Sequence, residues 1–204
     1  MESTSYCWNK CLKSAIAMLL RPLEPLFVRR VALLCCHVAR NVAYYHIGYI
    51  NEDGTGALKQ PTEFGATVND NMLDIAVLEW CKLFADPKAR HHWHRIIQTD
   101  AEQKQFLAQL LPAVGVNAKG WEQYLKKVRD YRDKFIAHLD EENQMNIPST
   151  EPALKSVFFL YAHLLALAPT GSFDMPRRVK LPLDLQVYFA QCEDEARVAY
   201  ECSR

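Results

Sequence analysis

The stretch Ala118–Glu142, AKGWEQYLKKVRDYRDKFIAHLDEE, decides the fold. Leu125, Val128, Tyr131, Phe135 and Leu139 recur at spacings of three and four. That period lines them up along one side of an α-helix and marks that side as buried. Asn117 precedes the stretch as a capping residue. The acidic run Asp140, Glu141 and Glu142, followed by Pro148, closes it.

Working outward, the same period recurs on both sides. Downstream, Thr150 is the expected cap of a helix whose first turn holds Glu151 and Pro152, both favoured there. Its sequence SVFFLYAHLLALA is apolar almost all round, which places it centrally in the core; Pro169 and Gly171 end it. A proline-interrupted connection to about Pro182 leads to a last amphipathic helix, Leu183 to Tyr200. Upstream, Asp100 is expected to cap a short helix ending at Leu111-Pro112. The His-rich turn HHWHRII and the breaker Asp86-Pro87 come before it. Asn69 to Ala85 reads as an amphipathic helix, with Met72, Ile75, Ala76, Leu78, Glu79, Trp80, Leu83 and Phe84 giving a wide apolar stripe. Asn51 to Val68, with Gly54, Gly56, Pro61 and Gly65, reads as a loop. Leu26 to Ile47 is a long, largely buried helix stopped near Gly48, and Tyr6 to Leu20 a first helix ended by Pro22 and Pro25.

These pieces sum to an all-α bundle of about seven helices, with no strand and no internal repeat. The chain reads as a single helical domain over residues 1–204. Its core bundle covers about 26–168, and the segments 1–25 and 169–204 are peripheral helical additions.

Composition narrows the function classes. The 204 residues are 50% hydrophobic and 24% charged, with only seven glycines, which is ordinary globular material. Net charge is zero, so binding to nucleic acid through overall charge is excluded and any such contact has to be local. No stretch reaches the ~20 apolar residues of a membrane span, and Ala15 to Leu20 lacks the flanks of a signal peptide. The seven cysteines, Cys7, Cys11, Cys35, Cys36, Cys81, Cys192 and Cys202, are odd in number and form no CxxC. They fit a reducing cytoplasm better than a disulfide framework. Cys7 and Cys11 share a helical face, either as two small apolar side chains or as a metal or redox pair.

Three Arg-x4-to-6-His pairs occur: Arg30 with His37, Arg40 with His46, and Arg132 with His138. About one such match is expected by chance in a chain of this composition. The third is distinguished by context, YRDKFIAHLD, on a capped amphipathic helix late in the bundle. This segment resembles the R-polar-x4-to-6-H signature of the HEPN superfamily. With LDIAVLEWCKLF at 73–84 and HHWHRI at 91–96, the pattern is similar to the abortive-infection branch of that superfamily, across roughly residues 40–165.

The resemblance implies a HEPN-like bundle and metal-independent RNA cleavage without a cofactor. Arg132, Asp133 and His138 are its catalytic candidates, and Arg129, Lys134 and Asp140 its binding candidates. It also implies RNA as substrate, a homodimer with a composite site, and a phage-defence or toxin–antitoxin role with a cognate antitoxin. HEPN-like domains that only dimerise or bind nucleotide or RNA are the alternative. The residues suit the chemistry. Neutral imidazole can accept a 2′-OH proton near pH 7, and the planar guanidinium suits phosphate oxygens. Six residues on an ideal helix leave Arg132 and His138 about 120° apart, which is why two subunits are expected to complete one site.

Lys119, Lys126, Lys127, Arg129, Arg132 and Lys134 outnumber Glu122, Asp130 and Asp133 by three, giving either an RNA-facing surface or a solvated face. His91, His92 and His94, near Asp86, allow a metal reading, or a turn anchored by Trp93 with wet histidines. His163 reads as a hydrogen-bonded core histidine. Tyr44, Tyr45 and Tyr49 read as core or dimer aromatics, with base stacking as the other use.

Overall fold

The computed structural model describes residues 22–49, 62–137 and 146–202. Among them are six α-helices and no strand: α1 Pro25–Gly48, α2 Glu63–Trp80, α3 Asp100–Val114, α4 Ala118–Tyr131, α5 Glu151–Leu167 and α6 Leu185–Cys202. Two π-helical turns extend α2 and α4, at Cys81–Ala85 and Arg132–Ala137, and a 3-10 turn covers Trp93–Arg95. The all-α expectation holds. The expected first helix, 6–20, lies outside the described residues.

The central position belongs to α1 rather than α5. Val28, Val31, Ala32, Cys35, Val38, Ala39 and Val42 are almost wholly buried, and α1 packs against α2, α5 and α6. α5 buries one stripe, Ala153, Ser156, Val157, Leu160, Tyr161 and Leu164, while Leu167 stays about half exposed at 48%. The last helix, α6, lies along α1, and its Leu185 joins the core with Leu181 of the preceding connection. That connection is held by a buried arginine: Arg29 of α1 donates to the carbonyls of Phe173 and Val179. Tyr161 adds a 2.7 Å bond to the Pro182 carbonyl.

Capping explains where several boundaries differ from the sequence reading. α2 starts at Glu63, because the Thr62 hydroxyl accepts the Gly65 amide at 3.0 Å; residues 63–68 are thus helical, not loop, and Asn69 is buried mid-helix. Thr99, not Asp100, caps α3, in a reciprocal capping box with Glu102. α3 runs two residues past Pro112 and ends on Gly115 at φ +84°, a left-handed stop open to glycine. Asn117 does cap α4, accepting from the Gly120 amide at 2.8 Å. Thr150 caps nothing: its backbone is helical, and the Glu151 amide reaches the Ser149 hydroxyl instead, at 3.4 Å.

The densest packing is aromatic. Trp80 of α2 stacks on Phe84 and meets Trp121 and Tyr124 of α4 edge-on, with centroids 5.4–5.9 Å apart. Its Nε1 donates to the Ser156 hydroxyl of α5 at 2.9 Å, so one indole ties three helices. Burying such a ring stabilises the fold by about 4 kcal/mol. No helix among the described residues is long and apolar enough to cross a membrane.

Candidate functional site

α4 is oriented by Trp121, Val128 and Tyr131, its buried residues. They pull one face onto the core and leave the arginines of the last turn beside the C-terminal end of α2. Trp121 and Tyr124 meet Trp80, and further along the Tyr131 hydroxyl donates to Asp74 Oδ1 at 3.0 Å. The two helices therefore pass in opposite directions. Burial raises the Asp74 carboxyl above the usual carboxylate range.

Arg132 opens the second π-helical turn and reaches Asp86, the residue that ends the first. Its Nη1 donates to Asp86 Oδ2 at 2.5 Å and its Nε to Asp133 Oδ1 at 2.8 Å. The arginine side chain is 19% exposed and Asp86 37%, so this is a partly desolvated pair with geometry fixed from two sides. The bond to Asp86, with Asp133 behind it, pushes the guanidinium above even its ordinary range. Asp86 is aimed by its backbone, whose amide closes the first π turn on the Cys81 carbonyl at 2.9 Å. Arg129 reaches the same turn, donating to the Ala85 carbonyl at 3.2 Å. Buried Cys81 lies beneath, its thiol pushed up to about 12 by burial and only partly offset by Arg132.

Of the sequence candidates, the structure brings Arg132 and Asp133 together, with Arg129 on the neighbouring π turn. Lys134 lies on another side of α4, in a cleft of about 370 Å³ with Lys126, Lys127, Asp130 and Phe135. The basic residues of this segment are thus divided between two faces. His138 and Asp140 lie outside the described residues. Asp86 is the partner of Arg132 that the sequence reading did not assign to this site; its position as the residue closing a helix before Pro87 was the available signal.

The alternative pair is differently engaged. His46 is bound through Nε2 to the Thr150 hydroxyl at 2.7 Å. Arg40 lies beside Cys36, Tyr188 and Cys192, whose titration its charge affects.

In the His-rich turn, Trp93 is anchored as expected, stacked on Phe106 at 4.7 Å. The reading of all three histidines as wet is corrected: His92 is buried. Its Nε2 donates to the Phe84 carbonyl at 3.0 Å and its Nδ1 accepts the His94 amide at 3.4 Å. Burial pushes the ring down to about 4, and a proton on Nδ1 would also remove the acceptor of the His94 amide. No group of three metal-ligating side chains occurs among the described residues.

His163 is half-buried against the rings of Phe106 and Phe159, beside a cleft of about 310 Å³ with Leu23, Ile97 and Leu167. Of the tyrosines in and just after α1, Tyr45 is core, whereas Tyr49 is 49% exposed. The described cysteines are all free; Cys7 and Cys11 lie outside the described residues.

No protein-family model, curated protein or solved structure matches this chain.

Proposed function

We propose that the protein is a metal-independent endoribonuclease whose site is built on Arg132 and His138. The observation that carries the reading is the fixing of Arg132. Asp86 and Asp133 orient the guanidinium at the root of the segment that runs to His138, and neither carboxylate engages Nη2. This supports a reading in which the Nη2 side of the planar fork meets phosphate oxygens.

His138 takes the proton of a ribose 2′-OH, the 2′-oxygen attacks the adjacent phosphorus, and the 5′-oxygen leaves with a proton returned by an imidazolium. The products are a 2′,3′-cyclic phosphate and a 5′-hydroxyl. Arg132 meets the negative charge that builds on the non-bridging oxygens, and Asp133 holds the arginine. Lys134 and Arg129 serve the flanking backbone, and Asp140 orients the histidine. The passage of α2 and α4 in opposite directions is in keeping with the HEPN-like arrangement that YRDKFIAHLD suggests. The same resemblance suggests a cytoplasmic homodimer, with an antitoxin or defence partner as regulator.

A second reading has one observation in its favour. The charge of Arg132 is already matched by two carboxylates, as in a structural clamp, and a HEPN-like module that binds without turnover needs no more than that.

The two subunits test the enzymatic reading. Arg132→Ala and His138→Ala are each expected to be inactive alone. Mixed and allowed to exchange, they should regain about a quarter of wild-type cleavage, because half of the dimers are mixed and each of these keeps one intact composite site. No recovery from two correctly folded, exchanging variants contradicts the composite site. A wild type that never cleaves RNA moves the weight to the binding module.

A further inference from the structure

A second cluster of chemistry-bearing side chains stands apart from Arg132, around the other side of the α2 end. Phe27, Arg30, Leu34 and His37 follow one another at three, four and three residues along α1, so they form one stripe. Facing it are Glu79 and Lys82, joined by a 3.0 Å ion pair, and the turn that carries Arg90 and His91. The His91 ring lies over Phe27, with centroids 5.9 Å apart and planes 18° from parallel. Trp80 and Cys81 point into the core, while Lys82 and the partly buried Glu79 point to this surface.

The charges of Arg90, Arg30, Lys82 and Glu79 act on His91, and those of Arg40, Glu79 and Lys82 on His37. Four cations thus share the patch with one acid, in a chain whose net charge is zero. Both imidazoles are held below their ordinary range, by burial first and the cations second. The buried Nε2 of His91 has no hydrogen-bond partner among the described residues. An orphaned acceptor is less costly there than an orphaned N–H, so the neutral ring carries its proton on Nδ1, as a donor toward the surface.

We propose that Arg30, Lys82, Arg90 and His91 form a phosphate-binding site, with Arg30 and Arg90 as the charged arms and the His91 imidazole as a donor on the oxygens. The Glu79–Lys82 pair sets the position of the ammonium, and Phe27 sets the plane of His91. The site takes a phosphate group, borne either by a mononucleotide or by an RNA backbone, and its existence does not depend on the Arg132 reading.

The test is a titration of the full-length protein followed by NMR of the imidazole Cε1–H signals, with His163 as internal reference. Inorganic phosphate is expected to move the His91 signal and raise its midpoint by about half a unit or more, because a bound anion favours imidazolium. Sodium chloride of equal ionic strength should leave it in place. In the double variant Arg30→Gln with Arg90→Gln, both exposed positions, the response to phosphate should vanish. An oligouridylate without terminal phosphates separates the sources: movement equal to that with phosphate assigns an RNA backbone, and movement with phosphate alone assigns a terminal phosphate. If His91 responds to phosphate no more than His163, or responds unchanged in the double variant, the site does not exist.

Discussion

Arg132 carries one positive charge and faces two carboxylates, and at that scale its role can be separated from its contribution to the fold. Arg132→Ala removes both ion pairs, but Asp86 and Asp133 keep access to water and recover hydration. The expected loss is about 1 kcal/mol after allowance for screening, read as a small fall in the urea midpoint. A total loss of cleavage from so mild a change would mark a functional residue. Asp86→Asn keeps the shape of the clamp and weakens its charge. It should leave the fold in place and lower kcat more than stability, since a less firmly held guanidinium is the only change.

His92 supplies a pH prediction. Its ring titrates near 4 in the fold and near 6.5 in an unfolded chain. Between those values the unfolded state binds more protons, so stability falls as pH drops from about 6.5 to about 4, by at most ~3 kcal/mol. His92→Gln keeps an N–H for the Phe84 carbonyl without titrating, so its denaturation midpoint should be flatter over that window than the wild type's. Equal slopes would show that His92 is not the titrating group.

At the scale of elements, close approaches decide what can be changed. A Cβ on Gly48 would stand 2.2 Å from Asn69 Oδ1 and 2.3 Å from the Tyr200 hydroxyl. Gly48→Ala should therefore cost about 1–3 kcal/mol in thermal or urea unfolding, and Tyr200→Phe in that background should recover only part of it, because it removes the hydroxyl but keeps the ring carbon 2.7 Å away. Ser156→Ala leaves the buried Trp80 N–H without its acceptor, for an expected cost of about 1–2 kcal/mol.

Helix existence was legible from period alone, because Leu125, Val128 and Tyr131 have to share a face. The start of α2 was not legible. Gly65 and Pro61 signal a loop, and only the hydrogen bond from the Gly65 amide to Thr62 shows the glycine inside a first turn. The π winding after Trp80 and Tyr131 was equally hidden. It inserts a residue into the helical register without any change of residue type, and that register carries Asp86 and Arg132 to each other. The motif pointed to Arg132 and Asp133; it had no means of pointing to Asp86, which lies 46 positions away in sequence.

Across the whole molecule, charge is balanced in sum and divided in space. The lysine cleft at Lys126, Lys127 and Lys134, the clamped Arg132, and the patch at Arg30 and Arg90 occupy separate surfaces, so composition predicts neutrality and misses all three. On the proposed reading RNA is held at focused points, and its affinity should fall with salt by only the few counterions those points displace.

The direct test of the enzymatic account is digestion of a total-RNA substrate in excess EDTA by wild type, Arg132→Ala and His138→Ala, with analysis of the new 3′ ends. The account predicts 2′,3′-cyclic phosphates from the wild type and none from either variant. Absence of cleavage by the wild type, or cyclic ends undiminished in both variants, contradicts it.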